Sequence, residues 1–240
     1  MVNQKNEGKV NVYKYYFKRL FDIILSGIAL IVLSPLLLIV AISVRINLGS
    51  PVIFKQERPG YKGKTFNMFK FRTMRDPQTR EGEKLTDTER LECIEKGIDI
   101  LTDEERLTKF GRFLRATSLD EILELWNIFI GDMSIVGPRP LATIYLPYYT
   151  KEEMHRHDIR PGLTGLAQVH GRNEVSWEKR FEYDLYYVDH CSFFLDIKIL
   201  IQTILVVFKQ EGIGQGKAKP ESFSLVRQRE WDEGIIERDR

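Results

Sequence analysis

"LFDIILSGIALIVLSPLLLIVAISV", residues 20 to 44, is the stretch on which the fold turns. Beyond Asp22 it runs about 22 residues without a charge, and about 20 helical residues suffice to cross a bilayer. It is longer and richer in leucine than a signal-peptide core, and no small-residue cleavage site follows it. Two features compete with a plain spanning helix. Ser34-Pro35 falls at mid-run, where proline removes a backbone N–H and clashes with the preceding turn, so a kink is expected. The serine hydroxyl can bond a carbonyl freed there. Both flanks are also basic, with Lys14, Lys18 and Arg19 before the run and Arg45, Lys55 and Arg58 after it. Lys and Arg prefer the cytoplasmic side. A segment that enters, bends at Ser34-Pro35 and returns satisfies both flanks at once. Asp22 would then lie near the interface, where a carboxylate costs less than at mid-depth. Spanning and re-entrant geometries both stay open on these grounds.

The rest of the 240 residues can bury a core, being part of a chain that is 43% hydrophobic and 29% charged. That length suits one or two domains. A net charge of +2 excludes a polycation, but the charge is unevenly spread. Seven Lys/Arg between residues 51 and 75 oppose a single acid, Glu57, whereas residues 76–106 hold eleven Asp/Glu against five Lys/Arg. A basic block beside an acidic one suggests a local anionic partner. Cys93 and Cys191 are isolated and form no metal pattern or disulfide framework, which fits a reducing compartment.

After the membrane segment, "VIFKQERPGYKGKTFNMFKFRTM" predicts a β-hairpin turning at Pro59-Gly60 and Lys62-Gly63, with its phenylalanines for packing. The acidic residues 76–106 read as an insert with a short helix near 88–96. Helical periodicity returns over 104–115, with Leu107, Phe110 and Leu114 on one face. Ser118 and Glu121 have the spacing of a capping box, opening a helix over "TSLDEILELWNIF" that ends by Gly131. Short helices are expected over 141–149 and 151–156, and a glycine-punctuated loop over 159–177. Ser176 caps a helix to Val188, and an apolar helix over 196–210, too short to span, is expected to lie half-buried on the membrane or the domain. A polar tail with a mobile "GIGQGKAKP" closes the chain. No internal repeat is present.

The adjacent acids Asp120 and Glu121 carry the chemical interest. In a helix's first turn such residues are ordinary stabilising groups, kept ionised by the positive dipole end and free N–H donors. Their company points further. Arg112 and Arg115 lie just upstream, Asp132 follows the helix, and Arg139 stands between Pro138 and Pro140. A rigid guanidinium matches phosphate oxygens. Carboxylates beside such cations are the parts of phosphoryl transfer, in which one carboxylate attacks and oxygen ligands hold Mg²⁺. There is no Walker loop, nucleophile elbow or zinc motif. "HRHD" at 155–158 spaces its histidines off a common helix face. The basic hairpin has the composition for binding nucleic acid, but the membrane segment, the acidic neighbour and the lack of a motif argue against that partner.

The chain resembles bacterial sugar transferases of the monotopic phosphoglycosyl transferase superfamily, in particular its small PglC-like members. The resemblance runs from about Tyr16 to Gly212 through "KRLFDI", Ser34-Pro35, "FKQERPG", "FKFRTM", "SLDE", "GDMSIVGPRP", "RHDIRPGLTGLAQV", "GRN" and "SWEKRFEYDLYYV". It implies an α+β, mostly helical fold: a re-entrant helix broken at Ser34-Pro35 in residues 1–50, a cytoplasmic catalytic domain over 51–212 with a small hairpin and interfacial helices, and a tail over 213–240. It implies transfer of a sugar 1-phosphate from a UDP-sugar to polyprenol phosphate at the bacterial inner membrane, with UMP released. Asp120 matches the nucleophile that forms an aspartyl–phosphosugar, and Glu121 the Mg²⁺ ligand. Lys70, Arg115 and Arg172 match phosphate contacts, and Pro138, Arg139 and Pro140 the nucleotide loop. "GRN" and "SWEKRFEYD" lean toward an N-acetylated amino sugar; glucose and galactose donors, a homodimer, and an inactive scaffold holding anionic lipid stay open. The acidic stretch is longer than in compact members of the family.

Overall fold

The computed structural model describes residues 12–85, 89, 93, 98–171, 175–208 and 221–237. The chain divides into two compact units that interleave along the sequence. One comprises Met1–Leu30, Glu57–Met68 and Leu125–Arg240, the other Ile31–Gln56 and Phe69–Glu124.

The apolar run forms two helices, α1 (Lys18–Val32) and α2 (Ser34–Leu48). Pro35 occupies the first turn of α2, where its missing N–H costs nothing. The Ser34 hydroxyl donates to the Ile31 carbonyl at 2.8 Å, the local repair anticipated for a proline break. No single helix among the described residues is long and apolar enough to cross a membrane; α1 and α2 together meet that test and are bent by 63°. Ile24, Ile28, Ile31, Leu38, Ile39 and Ile42 on the two helices are exposed.

In the second unit, α2 is part of the core. Val40 and Val44 are buried with Phe71 and Leu114, and Leu119, Leu123 and Phe110 pack around them. The predicted hairpin is present as β1 (Ile53–Pro59) and β2 (Thr65–Phe71), turning through Tyr61–Gly63 with Lys62 and Gly63 at positive φ. Arg72, just past β2, donates to the Ser50 and Leu48 carbonyls and to Asp76, fastening the C-terminal end of α2. The helix expected over 104–115 is two. After α3 (Asp103–Arg106) the chain restarts as α4 (Lys109–Ala116), because the Thr108 hydroxyl accepts from Gly111 N at 2.9 Å and caps a new N-terminus. The helix expected near 88–96 lies outside the described residues, as does "GIGQGKAKP".

The helix predicted over "TSLDEILELWNIF" is also divided. Leu119–Glu121 is a 3₁₀ turn, and the α-helix proper, α5, runs Glu124–Ile130. Ser118 adopts a left-handed conformation (φ 55°) and its hydroxyl makes no cap. A capping side chain works from extended backbone, so the capping box is absent. The helix does stop at Gly131, whose φ of 103° accompanies its N–H bonds back to Asn127 and Ile128.

The first unit holds a short parallel pair, one strand of which falls within residues 159–177, expected as loop. β3 (Ser134–Val136) and β4 (Gly162–Thr164) align Ser134 with Gly162 and Val136 with Thr164. A Cβ on Gly162 would lie 2.0 Å from the Gly137 nitrogen, so only glycine permits this approach. After α6 (Lys151–Met154) and α7 (Leu166–Val169) come the long helices α8 (Trp177–His190), capped by Ser176 as predicted, and α9 (Phe193–Phe208). Val136, Ile159, Leu166, Tyr187, Val188 and Ile199 form their core. Buried Asp196 accepts from Lys18 at 2.6 Å and from Tyr13 and Tyr187 at 2.7 Å each. Asp22 is buried and accepts from Ile135 N at 2.9 Å, while Arg19 donates to the Ile128 and Phe129 carbonyls. The polar start of α1 is thus built into this unit. The segment read as a polar tail carries α10 (Phe223–Asp232), whose fully buried Phe223 joins Tyr145, Tyr149, Trp177 and Phe181 in an aromatic cluster.

Candidate active site

In the second unit, the end of β2 from Phe69 onward and α4 bring four of the expected residues together at the Leu119–Glu121 turn. Gly111 makes this possible. A Cβ there would lie 1.8 Å from the Thr73 carbonyl oxygen, so α4 rests backbone to backbone on the end of the strand. One turn further on, Arg115 Nε donates to the Thr73 hydroxyl at 3.0 Å. Lys70 Nζ on β2 is 2.5 Å from Glu121 Oε1 and 3.0 Å from Glu124 Oε1. The Glu124 side chain is 2% exposed and that of Glu121 24%, so one carboxylate anchors Lys70 from inside while the other faces outward.

Asp120 is 7% exposed. Burial, and then the charge of Glu121, push its carboxyl up from 3.8 to about 6, while Lys70 and Arg115 act in the opposite sense. The expectation that a helix dipole keeps this group ionised is therefore corrected: the turn is 3₁₀, and burial dominates. A desolvated carboxylate held by two nearby cations is a stronger nucleophile than a hydrated one.

The donor set suits Mg²⁺. This ion favours hard oxygen ligands and takes one or two carboxylates, completing its shell with water and substrate phosphates. Glu121, half-buried and beside a second carboxylate, offers that arrangement; no group of three or more His, Cys, Asp or Glu side chains positioned to hold an ion occurs among the described residues. Glu124 was not foreseen as part of the site. Its signal was an acid within an otherwise apolar stretch, which reads equally as a helix's solvent face.

The Pro138-Arg139-Pro140 loop belongs to the first unit. Both prolines are buried and Arg139 half-buried. Its shape is set from two sides: Gly162 N donates to the Pro138 carbonyl at 3.0 Å, and Arg156 Nη2 donates to the Arg139 carbonyl at 2.7 Å. Arg156 is itself buried and paired with Asp184 through Nε at 3.1 Å and Nη2 at 2.7 Å. Of "HRHD", His155 bridges Asp158 and Asp189, whereas burial and then Arg156 push His157 down to about 4. Arg172 lies outside the described residues.

A family model for bacterial sugar transferases matches residues 13–210. The chain belongs to the bacterial sugar transferase family. Within that family it is 48% identical over 198 residues to the uncharacterized sugar transferase EpsL of Bacillus subtilis, covering 82% of this chain and 90% of that protein. It is 40% identical over 210 residues to the UDP-glucose:undecaprenyl-phosphate glucose-1-phosphate transferase of Klebsiella pneumoniae, and 38% over 198 residues to the undecaprenyl-phosphate galactose phosphotransferase of Salmonella typhimurium. The chain spans less than half the length of these last two, 42% and 41% respectively. Lys70, Arg115, Asp120 and Glu121 all fall within the matched residues.

Proposed function

We propose that this chain transfers a sugar 1-phosphate from a UDP-sugar to polyprenol phosphate, releasing UMP. The carrying observation is the buried Asp120 beside Glu121, with Lys70 and Arg115 at the same turn. The names of the Klebsiella and Salmonella relatives, with undecaprenyl phosphate in both and a UDP-sugar in the first, support the two substrate classes.

In the first step an Asp120 carboxylate oxygen attacks the β-phosphorus. The bond from that phosphorus to the bridging oxygen breaks, and UMP departs with the electron pair. In the second, an oxygen of polyprenol phosphate attacks the same phosphorus and the bond to Asp120 breaks, restoring the carboxylate and leaving a polyprenyl diphosphosugar. Lys70 and Arg115 offset the phosphate charge, and Mg²⁺ bound at Glu121 would supply further neutralisation. The covalent stage lets a soluble donor and a lipid acceptor use one site in turn.

For the sugar, the relatives that name one name glucose or galactose. This favours a neutral hexose over the N-acetylated amino sugar toward which the motifs leaned. We place α1 and α2 in the membrane as a re-entrant pair on the cytoplasmic face. The Ser34-Pro35 break and the exposed isoleucines of both helices support this placement. The decisive experiment incubates detergent-solubilised protein with Mg²⁺ and a panel of UDP-sugars labelled in the sugar, without acceptor. One sugar phosphate should remain covalently on the protein and be discharged by polyprenol phosphate. Absence of label with every sugar, while UMP release proceeds with acceptor, would rule out the covalent route.

A further inference from the structure

Glu124 has no part in the reaction described so far. It belongs, with Lys70 and Glu121, to the second unit. The Lys70 ammonium sits between the two carboxylates, 2.5 Å from Glu121 Oε1 and 3.0 Å from Glu124 Oε1. The acids meet that cation from different surroundings. Glu124, the first residue of α5, is buried, whereas Glu121, at the end of the 3₁₀ turn, reaches solvent. A buried carboxylate is costly without a cation beside it, so the hold of Glu124 on Lys70 is part of the fold. Glu121 can trade the ammonium for a cation from solution.

This asymmetry matters when the site fills. A divalent ion at Glu121 sets two positive charges beside the Lys70 ammonium and takes up the charge of the carboxylate they share, so Glu121 loosens its grip on Lys70. Lysine carries its charge on a flexible four-carbon stem, and an ammonium let go entirely would swing into solvent. We propose that Glu124 is the positioning residue for Lys70: it keeps the ammonium in place as Glu121 turns to the ion. An ammonium has three donors, so a bond to Glu124 leaves the others for substrate phosphate. The inference rests on the reading of Glu121 as the ion's ligand and of Lys70 as a phosphate contact.

The test uses the full chain in detergent with Mn²⁺, whose free form is counted by electron paramagnetic resonance, and with UDP. In Glu124→Gln, Lys70 rests on Glu121 alone and the ion must displace it, so Mn²⁺ affinity should fall by about tenfold or more. Lys70→Gln/Glu124→Gln removes the competing ammonium as well and should return Mn²⁺ affinity to within about threefold of wild type. A crystal structure of the wild type with Mn²⁺ and UDP is the second measurement, and it decides even where the variants do not fold. It should show Lys70 Nζ bonded to Glu124 and to a phosphate oxygen, and more than about 4 Å from Glu121, beyond ion-pair reach. Unchanged Mn²⁺ affinity in Glu124→Gln overturns the proposal. So does a double variant as weak as Glu124→Gln, which would mean that Glu124 serves the ion directly. So does a Mn²⁺- and UDP-bound structure with Lys70 still on Glu121 or turned away from Glu124. Each of these leaves the transferase reading standing, because wild type has bound both ligands. Wild type that binds neither Mn²⁺ nor UDP removes both.

Discussion

Asp120 occupies a position where the folded protein favours the protonated acid. Its displacement from 3.8 to about 6 corresponds to roughly 3 kcal/mol. Because the folded-state value is raised, the associated stabilisation is complete below about pH 4 and is lost as pH rises through about 6. Asp120→Asn should therefore abolish turnover and, in chelator at pH 7.5, raise the unfolding free energy by up to that amount. The gain should vanish near pH 4. Denaturant unfolding at the two pH values measures it, and a variant that is less stable at pH 7.5 would contradict the burial argument. At this scale the sequence exposed Asp120, Glu121, Lys70 and Arg115 through their motifs. It did not expose Glu124, because burial is a property of what packs against a residue. Nor did it show that Asp120 is buried, since a helix N-terminus and a buried 3₁₀ turn look alike as "SLDE".

Elements were legible where a local signal sufficed. The hairpin followed from alternation and its glycines, the break in the apolar run from Ser34-Pro35, and the start of α8 from Ser176. The parallel pair β3 and β4 was missed because three-residue strands are too short to alternate, and the glycines that permit it read as loop. The division at Thr108 was missed because helical periodicity carried across it. Gly111→Ala tests the contact that seats α4. Its Cβ would collide with the Thr73 carbonyl, so overpacking should cost roughly 1–3 kcal/mol. Arg115 should lose Thr73, and UMP release should fall much further than the melting temperature suggests. Retention of wild-type activity would detach Arg115 from catalysis. For the membrane pair, replacing Ser34 with Ala and Pro35 with Leu should favour a straight helix. With Cys93 and Cys191 removed, single cysteines at positions 14 and 55 should both resist an impermeant reagent applied to intact cells bearing the wild-type Ser34-Pro35. Ready labelling at 14 with protection at 55 would show a spanning helix instead.

The interleaving of the two units could not be read from the sequence, because each unit gathers distant segments and composition does not change at the joins. Phe223 illustrates the difficulty. It follows a polar stretch that looks like tail, yet it is completely buried in the first unit's aromatic cluster. Phe223→Ala should destabilise the protein by roughly 3–5 kcal/mol, seen as a fall in melting temperature; a shift within experimental error would return α10 to the status of an appendage.

Val40 and Val44 have a consequence beyond packing. They lie on α2 and are buried against Leu114, beside Leu119 and Leu123, the residues flanking Asp120 and Glu121. One face of a helix proposed to lie in lipid thus forms the floor beneath the Leu119–Glu121 turn. Helices in bilayers respond to hydrocarbon thickness by tilting, and a tilt of α2 shifts that floor. Acyl-chain length should then act on the protein much as an allosteric effector would. In vesicles of graded chain length, turnover should pass through an optimum even with a water-soluble acceptor analogue at saturation. A flat profile would show that the bilayer only holds the enzyme in place.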